Sequence, residues 1–317
     1  MHYDIFNGDA DGIFALQQYR LANPQPDTTL ITGVKRDIQL LSLVKDLKNC
    51  SLTVLDISLD SNRTWLLQIL QEQNEVVYFD HHFAGTIPQS ELLQTYIDPS
   101  PDTCTSLIIN TRLAGEHVLW AICGAFGDNL HQIAKRQAKD IRLTETQTAQ
   151  LQELGELFNY NGYGAVIEDL HYHPGDLYKA VKPYRDPFAF IENSKELAAL
   201  RIGYREDIDS VMQLKQLKIP GKNRVYILPD APWARRVSGV FSNLRAREEP
   251  DAAHAVITED KNTLRISVRA PLNDRRDADT LCKLFPTGGG RKAAAGINSL
   301  PADQLEKFLE KFLSFYP

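Results

Sequence analysis

The sequence places metal-binding side chains together in one short run, Asp80-His81-His82, directly after the apolar residues 76–79. A neutral imidazole is the most common metal ligand among side chains, and a neighbouring carboxylate can fix which ring nitrogen carries the proton. Taken alone, the run also fits an ordinary surface loop. Its chemistry therefore depends on whether other parts of the chain supply further ligands at the same place.

A second group of carboxylates, Asp9 and Asp11, lies on one tight turn near the start of the chain. The flanking Gly8 and Gly12 permit the unusual backbone angles of a loop that wraps a cation. The ordinary alternative is that one of the two aspartates caps the helix that follows, which is a common role of Asp at such a position. One Asp would suffice for a cap, so the pair favours a further role.

Asp56 and Asp128 extend this set to four carboxylates, joined by one histidine, His81. Asp128 follows an apolar run and, taken alone, fits a helix cap. Hard carboxylate oxygens with an imidazole nitrogen suit Mn²⁺, with Mg²⁺, Co²⁺ and Fe²⁺ as alternatives. Such a set is large enough for two metal ions about 3.5–4 Å apart. Two metal ions at this distance activate a water molecule and neutralise charge on a phosphoryl group.

Alternating strands and helices would position these residues. The acidic groups follow the first, third and fourth predicted strands, and a parallel sheet binds its ligands at the carboxyl ends of its strands. The sequence therefore predicts an α/β fold in which the clusters meet at one edge of the sheet. The predicted strands are Tyr3–Phe6, Thr28–Gly33, Leu52–Leu55 and Glu75–Tyr78, and the segments that alternate with them are 13–23, 39–45 and 62–73.

The length of 317 residues favours two domains. We expect a metal-binding domain over residues 1–212, mostly helical from about residue 104, a linker over 213–222 and a smaller α/β domain over 223–317. Residues 221–317 hold 16 Lys and Arg against 12 Asp and Glu, a net charge of +4, which leaves −10 for the first 220 residues. An acidic part can hold cations, whereas a basic part can hold an anion.

Composition excludes several classes of protein. The overall net charge of −6 argues against binding to long duplex DNA, which requires many phosphates to be neutralised. The apolar runs fall short of the roughly 18 residues that a membrane span needs, and the N-terminus has no signal-peptide pattern. The four cysteines are scattered without a C-x-x-C pair, which favours reduced thiols in the cytoplasm. A homodimer is compatible with the sequence, which does not determine the oligomeric state.

Five motifs occur in order along the chain: Asp9-Ala10-Asp11-Gly12, Asp56, Asp80-His81-His82, Asp128 and Gly288-Gly289-Gly290. This series resembles the DHH phosphoesterase family with its C-terminal DHH-associated domain, which includes RecJ-like proteins and nanoRNases. The similarity runs from residue 3 to about residue 300. It implies a parallel-sheet DHH domain with a helical extension, a smaller α/β domain, and an active site in the cleft between the two.

The resemblance also implies roles for individual residues. Asp56 would bridge two divalent ions, most readily Mn²⁺. His82 would touch the scissile phosphate, and Asp80 would support His82 from behind. The metal ligands that the resemblance implies are Asp9, Asp11, Asp56, His81 and Asp128.

Three positions depart from the family pattern. Many members have a histidine four residues before the first Asp of the opening motif, where this chain has Ile5. The RecJ-type branch has an acid two residues before that Asp, where this chain has Asn7, whose amide oxygen is a weaker ligand. The family usually has a histidine after its three glycines, where this chain has Arg291.

A basic loop over residues 288–292 is the predicted substrate-binding element of the second domain. Glycines let backbone N–H groups approach a phosphate, and Arg291 and Lys292 add charge, since a guanidinium can grip a phosphate with two hydrogen bonds. A glycine triplet alone is more often a flexible turn. Arg269 strengthens the prediction because it resembles the family's phosphate-gripping arginine. Arg235 and Arg236 are weaker candidates, for which an exposed basic start of a helix is the simpler interpretation.

These residues favour an enzyme that hydrolyses linear dinucleotides to mononucleotides. Because Arg matches the O6/N7 edge of guanine, Arg291 suggests linear diguanylate (pGpG), the product of opening a cyclic diguanylate messenger. RecJ-like processive cutting fits less well, since no aromatic-rich basic channel is evident. The alternatives are a phosphatase for 3′-phosphoadenosine 5′-phosphate, a pyrophosphatase-like enzyme, and a non-catalytic nucleotide or metal sensor, which Ile5 would favour.

Overall fold

The computed structural model describes residues 1–317, which divide into two compact units, Met1–Ile202 and Gly203–Pro317. The division falls inside a long helix, Lys195–Met212. Within the segment 213–222, predicted as a linker, Gln216–Leu217 form a short strand of the second unit. That segment therefore contributes to a sheet as well as joining two parts of the chain.

The first unit contains a five-stranded sheet in which every neighbouring pair is parallel, in the order β2-β1-β3-β4-β5. The predicted parallel α/β fold is confirmed. The sequence pattern does not predict the fifth strand, because all five of its residues are partly or fully exposed and show no apolar alternation. The strands are β1 His2–Phe6, β2 Thr28–Ile31, β3 Ser51–Leu55, β4 Glu75–Asp80 and β5 Leu93–Ile97.

Nine α-helices accompany this sheet, seven of them after β5. The predicted helical stretch from about residue 104 begins at Thr105. Every helix is too short or too polar to cross a lipid bilayer. The helices are α1 Ala10–Ala22, α2 Leu59–Gln71, α3 Thr105–Arg112, α4 Val118–Gly127, α5 His131–Asp140, α6 Glu145–Asn161, α7 Pro174–Val181, α8 Pro187–Asn193 and α9 Lys195–Met212, with 3₁₀ turns at Leu40–Val44 and Ile167–Asp169.

Apolar side chains cover both faces of the sheet. Ile5 and Tyr78 are fully buried in a cluster with Leu66 of α2. Phe79 follows Tyr78 in the strand and so points to the opposite face, where its ring lies 5.1 Å from that of Tyr19 in α1. A parallel sheet needs both faces covered, and this leaves the carboxyl edge of the strands as the place where polar residues collect.

A buried ion pair joins the first strand to the first helix. Arg20 of α1 donates from Nε to both carboxylate oxygens of Asp4, at 3.1 and 3.2 Å, and Thr28 donates to the same carboxylate at 3.0 Å. Asp4 is fully buried. Burial raises the pKa of Asp4, but the hydrogen bonds from His2 and Arg20 outweigh that effect and hold the pKa below its usual value.

We expect Asp4→Asn to lower the free energy of unfolding by about 3–5 kcal/mol at pH 7, because Arg20 would be left buried without a counter-charge. A carboxylate whose folded pKa is depressed stabilises the fold above its unfolded pKa, and this stabilisation is lost as the pH falls through the folded pKa. Urea denaturation at pH 7 and in acid therefore should show the difference from native protein shrinking in acid. Asp176→Asn, at the exposed pair with Lys179, is the control, and an equal effect of both substitutions would contradict the argument.

The second unit contains a six-stranded sheet in the order β10-β11-β9-β8-β7-β6, in which only β7 and β8 run parallel. A core of aromatic and aliphatic residues, Phe285, Phe308 and Phe312 among them, lies under one face. The elements are β6 Gln216–Leu217, β7 Arg224–Leu228, α10 Pro232–Glu248, β8 His254–Asp260, β9 Thr263–Arg269, α11 Ala278–Cys282, β10 Gly288–Arg291, β11 Ala294–Pro301 and α12 Leu305–Phe315.

The predicted loop over residues 288–292 is wrong, because Gly288–Arg291 form strand β10, paired antiparallel with β11. Glycines carry no side chains, so the sequence shows no strand alternation there. Gly288 is required sterically, since a Cβ would lie 1.7 Å from the Cys282 carbonyl oxygen. Gly290 has φ of +137°, which side-chain-bearing residues rarely adopt. The glycines are therefore explained in part by the hairpin itself.

Candidate metal centre

The predicted acidic groups converge at the carboxyl edge of the first sheet. Asp9 immediately precedes α1, Asp56 follows β3, and Asp80 is the last residue of β4. The strands β1, β3 and β4 lie side by side and their last paired residues are in register. Asp128, from the end of α4, joins them although it is not part of the sheet.

Asp56 lies at the centre of this group in an unusual backbone conformation. Its φ is +59°, a left-handed value that Asp tolerates better than most residues because its short polar side chain can bond locally. Its N–H donates to the Phe79 carbonyl at 3.0 Å, and its Oδ1 accepts from Thr105 Oγ1 at 3.1 Å. The strand end and α3 together therefore fix both the backbone and the carboxylate.

His81 is oriented as a metal ligand would be. Its Nδ1 lies 3.2 Å from the Thr103 carbonyl oxygen, and since a carbonyl only accepts, Nδ1 carries the proton. Its Nε2 lies 3.4 Å from Asp56 Oδ1 and 3.8 Å from Asp128 Oδ2. Fixing one ring nitrogen by a hydrogen bond so that the other can coordinate is the usual arrangement around metal-binding histidines.

Asp80 holds the second histidine of the run. Asp80 Oδ1 lies 2.6 Å from His82 Nδ1 and accepts from the His81 N–H at 2.8 Å. Asp80 is fully buried, and its Oδ2 has no hydrogen-bond partner, whereas the His82 side chain is 40% exposed. Asp80 therefore fixes the His82 ring through Nδ1 and leaves Nε2 without a contact to Asp80.

Asp9 caps the helix that follows it, as the ordinary interpretation of the pair predicts, whereas Asp11 binds the start of a different helix. Asp9 Oδ1 accepts from the Gly12 N–H at 3.1 Å and so caps α1. Asp11 accepts from the Thr105 and Ser106 N–H groups, both at 2.7 Å, with one carboxylate oxygen each. Asp11 thereby attaches the N-terminus of α3 to the start of α1, and this contact also delivers Thr105 to Asp56.

Lys35 belongs to the centre although sequence reasoning misses it. Its Nζ lies 2.5 Å from Asp9 Oδ2 and donates to Asn159 Oδ1 at 2.8 Å. Burial would lower the pKa of Lys35, but the Asp9 carboxylate raises it well above its usual value, so the side chain is charged. The sequence feature that could have indicated this role is the position of Lys35 shortly after β2, at the same end of the sheet as the acidic groups.

The electrostatics of the centre call for a cation. Burial, together with the neighbouring carboxylates Asp11 and Asp9, raises the pKa of Asp56 well above its usual value. Burial raises the pKa of Asp128 to about 6. Burial lowers the pKa of His81, but the Asp56 carboxylate outweighs that effect and raises it to about 10. In the absence of a metal ion, protons therefore supply positive charge that a bound cation would supply instead.

The donor set fits a divalent ion. Asp56, His81 and His82 each place a ligand atom within 4.8 Å of the others, and Asp128 lies next to His81. Carboxylate oxygens with one or two imidazoles suit Mn²⁺ and related ions. The orientation of His81, with Nδ1 at the Thr103 carbonyl and Nε2 beside two carboxylates, supports such a site.

Two departures from the family pattern have structural explanations. Ile5 is fully buried in the apolar cluster beneath the sheet, where a histidine would lose its hydrogen bonds. Asn7 donates through Nδ2 to the Lys35 carbonyl at 3.1 Å, and its Oδ1 is buried without a partner. Asn7 therefore positions the backbone of Lys35, a role that its amide N–H makes possible.

In the second unit, register places two predicted substrate-binding arginines on one row of the sheet. Arg291 pairs with Ala294, and Ala294 pairs with Arg269, so the two arginines lie on the same face, two strands apart. Arg269 donates from Nε to Asn243 Oδ1 at 2.8 Å. Gly289, two residues before Arg291 in β10, has open space where a side chain would be. This row forms a basic surface with room for a ligand.

The remaining basic candidates have different surroundings. Arg236 is buried and grips Asp207 with two hydrogen bonds, at 2.8 and 3.0 Å, so it is not the exposed residue that the sequence suggests. Arg235 pairs with Asp230. Lys292 is exposed at the end of β10. Arg236 therefore has a clear structural role, whereas Lys292 lies at the surface beside Arg291.

The parallel five-stranded sheet and its helices match solved structures of DHH-domain proteins, and this chain has their fold. No protein-family model and no curated protein matches the sequence. Solved structures match along the whole chain. A DHH-domain protein from a family of ribosomal proteins has a TM-score of 0.64 at 12% identity, with 99% of this chain and 86% of that chain covered.

Two nucleic-acid enzymes are similar to the same extent. The exonuclease RecJ bound to manganese has a TM-score of 0.61 at 14% identity, with 99% of this chain and 89% of that chain covered. The pGpG-specific phosphodiesterase PggH from Vibrio cholerae has a TM-score of 0.57 at 11% identity, with 100% and 99% covered. At these identities the comparisons establish a common fold.

Proposed function

We propose that the chain is a metal-dependent phosphodiesterase that cuts short linear dinucleotides, pGpG in particular, to mononucleotides. The observation that carries this proposal is the arrangement at the sheet edge, where His81 Nε2 lies beside the Asp56 and Asp128 carboxylates and Asp80 orients the half-exposed His82. The fold shared with RecJ and PggH supports the same class of reaction.

The residues of the centre divide between holding a metal and handling the phosphate. A divalent ion, when bound, lowers the pKa of a water molecule and neutralises charge on the phosphoryl group. Asp56, His81 and Asp128 would hold it, and the resemblance adds Asp9 and Asp11. His82 is held at Nδ1 by Asp80 and its side chain is 40% exposed, so its other ring nitrogen would be the one to give a hydrogen bond or a proton to the phosphate.

The second unit supplies the features expected of a substrate-binding domain. Arg269 and Arg291 lie on one row of the sheet, near open space at Gly289. This surface suits a terminal phosphate and a base. Arg291 is exposed, so its guanidinium fork is available to the O6 and N7 atoms of guanine. In the first unit, Phe83 directly follows His82 and is 73% exposed, which offers an aromatic face on which a base can stack.

Replacing Arg291 tests the preference for guanine. We expect Arg291→Ala to reduce the ratio of kcat/KM for pGpG over pApA by about 5–150-fold, since a bidentate contact to a base contributes about 1–3 kcal/mol of discrimination. Arg275→Ala, at an exposed arginine of the same unit, is the matched control and should leave the ratio unchanged. An unaltered ratio in Arg291→Ala would remove Arg291 from base recognition.

A substrate panel tests the function itself. Metal-stripped protein is reloaded with Mn²⁺ and incubated with linear and cyclic dinucleotides, longer RNA, 3′-phosphoadenosine 5′-phosphate and pyrophosphate, and the products are resolved by chromatography. We expect linear dinucleotides to be hydrolysed fastest. Release of inorganic phosphate from the bisphosphate or from pyrophosphate as the main activity would favour a phosphatase. Nucleotide binding without any turnover would favour a sensor.

A further inference from the structure

Lys35 brings a fixed positive charge into the acidic cluster. Besides its contacts with Asp9 and Asn159, its Nζ lies 5.5 Å from the centre of the Tyr163 ring. The Lys35 side chain is 27% exposed, and the Asp9 side chain is 4% exposed. The ammonium group is therefore held among polar partners on a side chain that is about a quarter exposed.

The backbone of Lys35 is fixed in two directions. Its N–H donates to the Gly162 carbonyl at 2.9 Å, and its carbonyl accepts from Asn7 Nδ2 at 3.1 Å. An acid at position 7 could not donate this second hydrogen bond. Two separate segments therefore fix the backbone from which the Lys35 side chain extends.

The carboxylates of the centre differ in the groups that lie beside them, and Asp9 is the one that contacts a fixed cation. Both oxygens of Asp9 already accept, one from Gly12 and the other from Lys35. Both oxygens of Asp11 accept from backbone N–H groups at the start of α3. Asp56 Oδ1 accepts one hydrogen bond, from Thr105, and it faces His81 Nε2, which also lies near Asp128 Oδ2. These three side chains, completed by water, would suffice to hold one ion.

We propose that the ammonium group of Lys35 takes the place of a second metal ion, so that the chain binds one divalent ion at Asp56, His81 and Asp128. This differs from the two ions that the family resemblance implies. As far as catalysis is concerned, the inference rests on the proposed phosphodiesterase function. An ammonium group has three N–H donors, of which Asp9 and Asn159 take two, and the third is left for an oxygen of the phosphate.

The number of bound Mn²⁺ ions tests this inference without reference to activity. Chelator-treated protein is titrated with Mn²⁺, bound metal is counted by isothermal titration and elemental analysis, and electron paramagnetic resonance distinguishes an isolated Mn²⁺ from a coupled pair. We expect one isolated ion per chain in native protein. In Lys35→Met, which removes the charge and keeps the length, Asp9 loses its cation, and we expect a second ion with a coupled signal.

Lys48→Met is the matched control, because Lys48 pairs with Glu72 at the surface and is 64% exposed, and it should bind one ion. Two coupled ions in native protein, or one ion in both native protein and Lys35→Met, would overturn the inference. If Lys35→Met does not fold, the native count decides alone. The same samples are assayed with pGpG. One bound ion without hydrolysis would refute the proposed function and support the inference. Hydrolysis with two bound ions would support the proposed function and refute the inference.

Discussion

Asp56→Asn is expected to lower kcat for metal-dependent hydrolysis by roughly 10³-fold, the upper end of what removal of one electrostatic group costs an active site. Asp56 is the carboxylate nearest His81 Nε2, at 3.4 Å, so its charge is central to holding the cation. Asparagine is preferred to alanine for this test because position 56 has φ of +59°, which Asn tolerates and Ala does not. The loss then reports on charge rather than on a distorted backbone.

The same substitution should have the opposite effect on the stability of the metal-free protein. Burial and two nearby carboxylates raise the pKa of Asp56 in the folded state, so ionising it opposes folding, increasingly as the pH rises from its unfolded pKa toward its folded pKa. We expect the metal-free Tm of Asp56→Asn at pH 7 to equal or exceed that of native protein. Mn²⁺ should raise the Tm of native protein and leave that of the variant nearly unchanged.

Asp60→Asn is the control for Asp56→Asn, because Asp60 forms an exposed pair with Arg63 on α2. It should retain native turnover and the native response of Tm to Mn²⁺. If Asp56→Asn kept native kcat, or if Mn²⁺ raised its Tm as much as that of native protein, Asp56 would not be a metal ligand. The first outcome would also remove the central carboxylate from the proposed mechanism.

His81→Ala and His82→Ala should fail in different ways. His81 Nε2 faces two carboxylates, so His81→Ala should weaken Mn²⁺ binding by at least about 10–100-fold, the loss seen for residues that merely support a ligand. His82 is held by Asp80 at 2.6 Å with its far side open. His82→Ala should therefore keep metal affinity near native and lower kcat by about 10²–10⁴-fold, the usual contribution of a general acid or base.

Titration with Mn²⁺ and kinetics at saturating Mn²⁺ separate the two roles. His173→Ala serves as the control, since His173 caps α7 through the Gly175 N–H and lies outside the centre. Adding excess Mn²⁺ should restore part of the turnover of His81→Ala and none of that of His82→Ala. Equal loss of metal affinity in both variants would overturn the division of labour between the two histidines.

Much of the first unit could be predicted from the sequence because its pattern is regular. Apolar strands followed by acidic residues mark the carboxyl edge of a parallel sheet, and β1, β3 and β4 do bring Asp9, Asp56 and Asp80 to that edge. The order of the motifs indicated the DHH fold. The assignment of His81 to metal and His82 to phosphate remains a prediction, to which the two hydrogen bonds to Thr103 and Asp80 give a physical basis.

The features that could not be predicted depend on contacts between distant segments. Lys35 reaches the centre because Asn159, 124 residues further along the chain, receives its ammonium group. Arg236 has a partner, Asp207, on another helix, which its basic neighbourhood in the sequence does not reveal. The strand β10 consists of glycines and one arginine, so its structure comes from pairing with β11 and not from any pattern of its own.

The measurement that tests the central claim most directly is hydrolysis of pGpG by metal-stripped protein with and without added Mn²⁺, with the products resolved by chromatography. Addition of one water across the internal phosphodiester bond converts each pGpG to two GMP. We predict that GMP forms only when Mn²⁺ is present and that Asp56→Asn forms almost none. Absence of GMP with Mn²⁺ and native protein, or equal GMP formation by Asp56→Asn, would contradict the account.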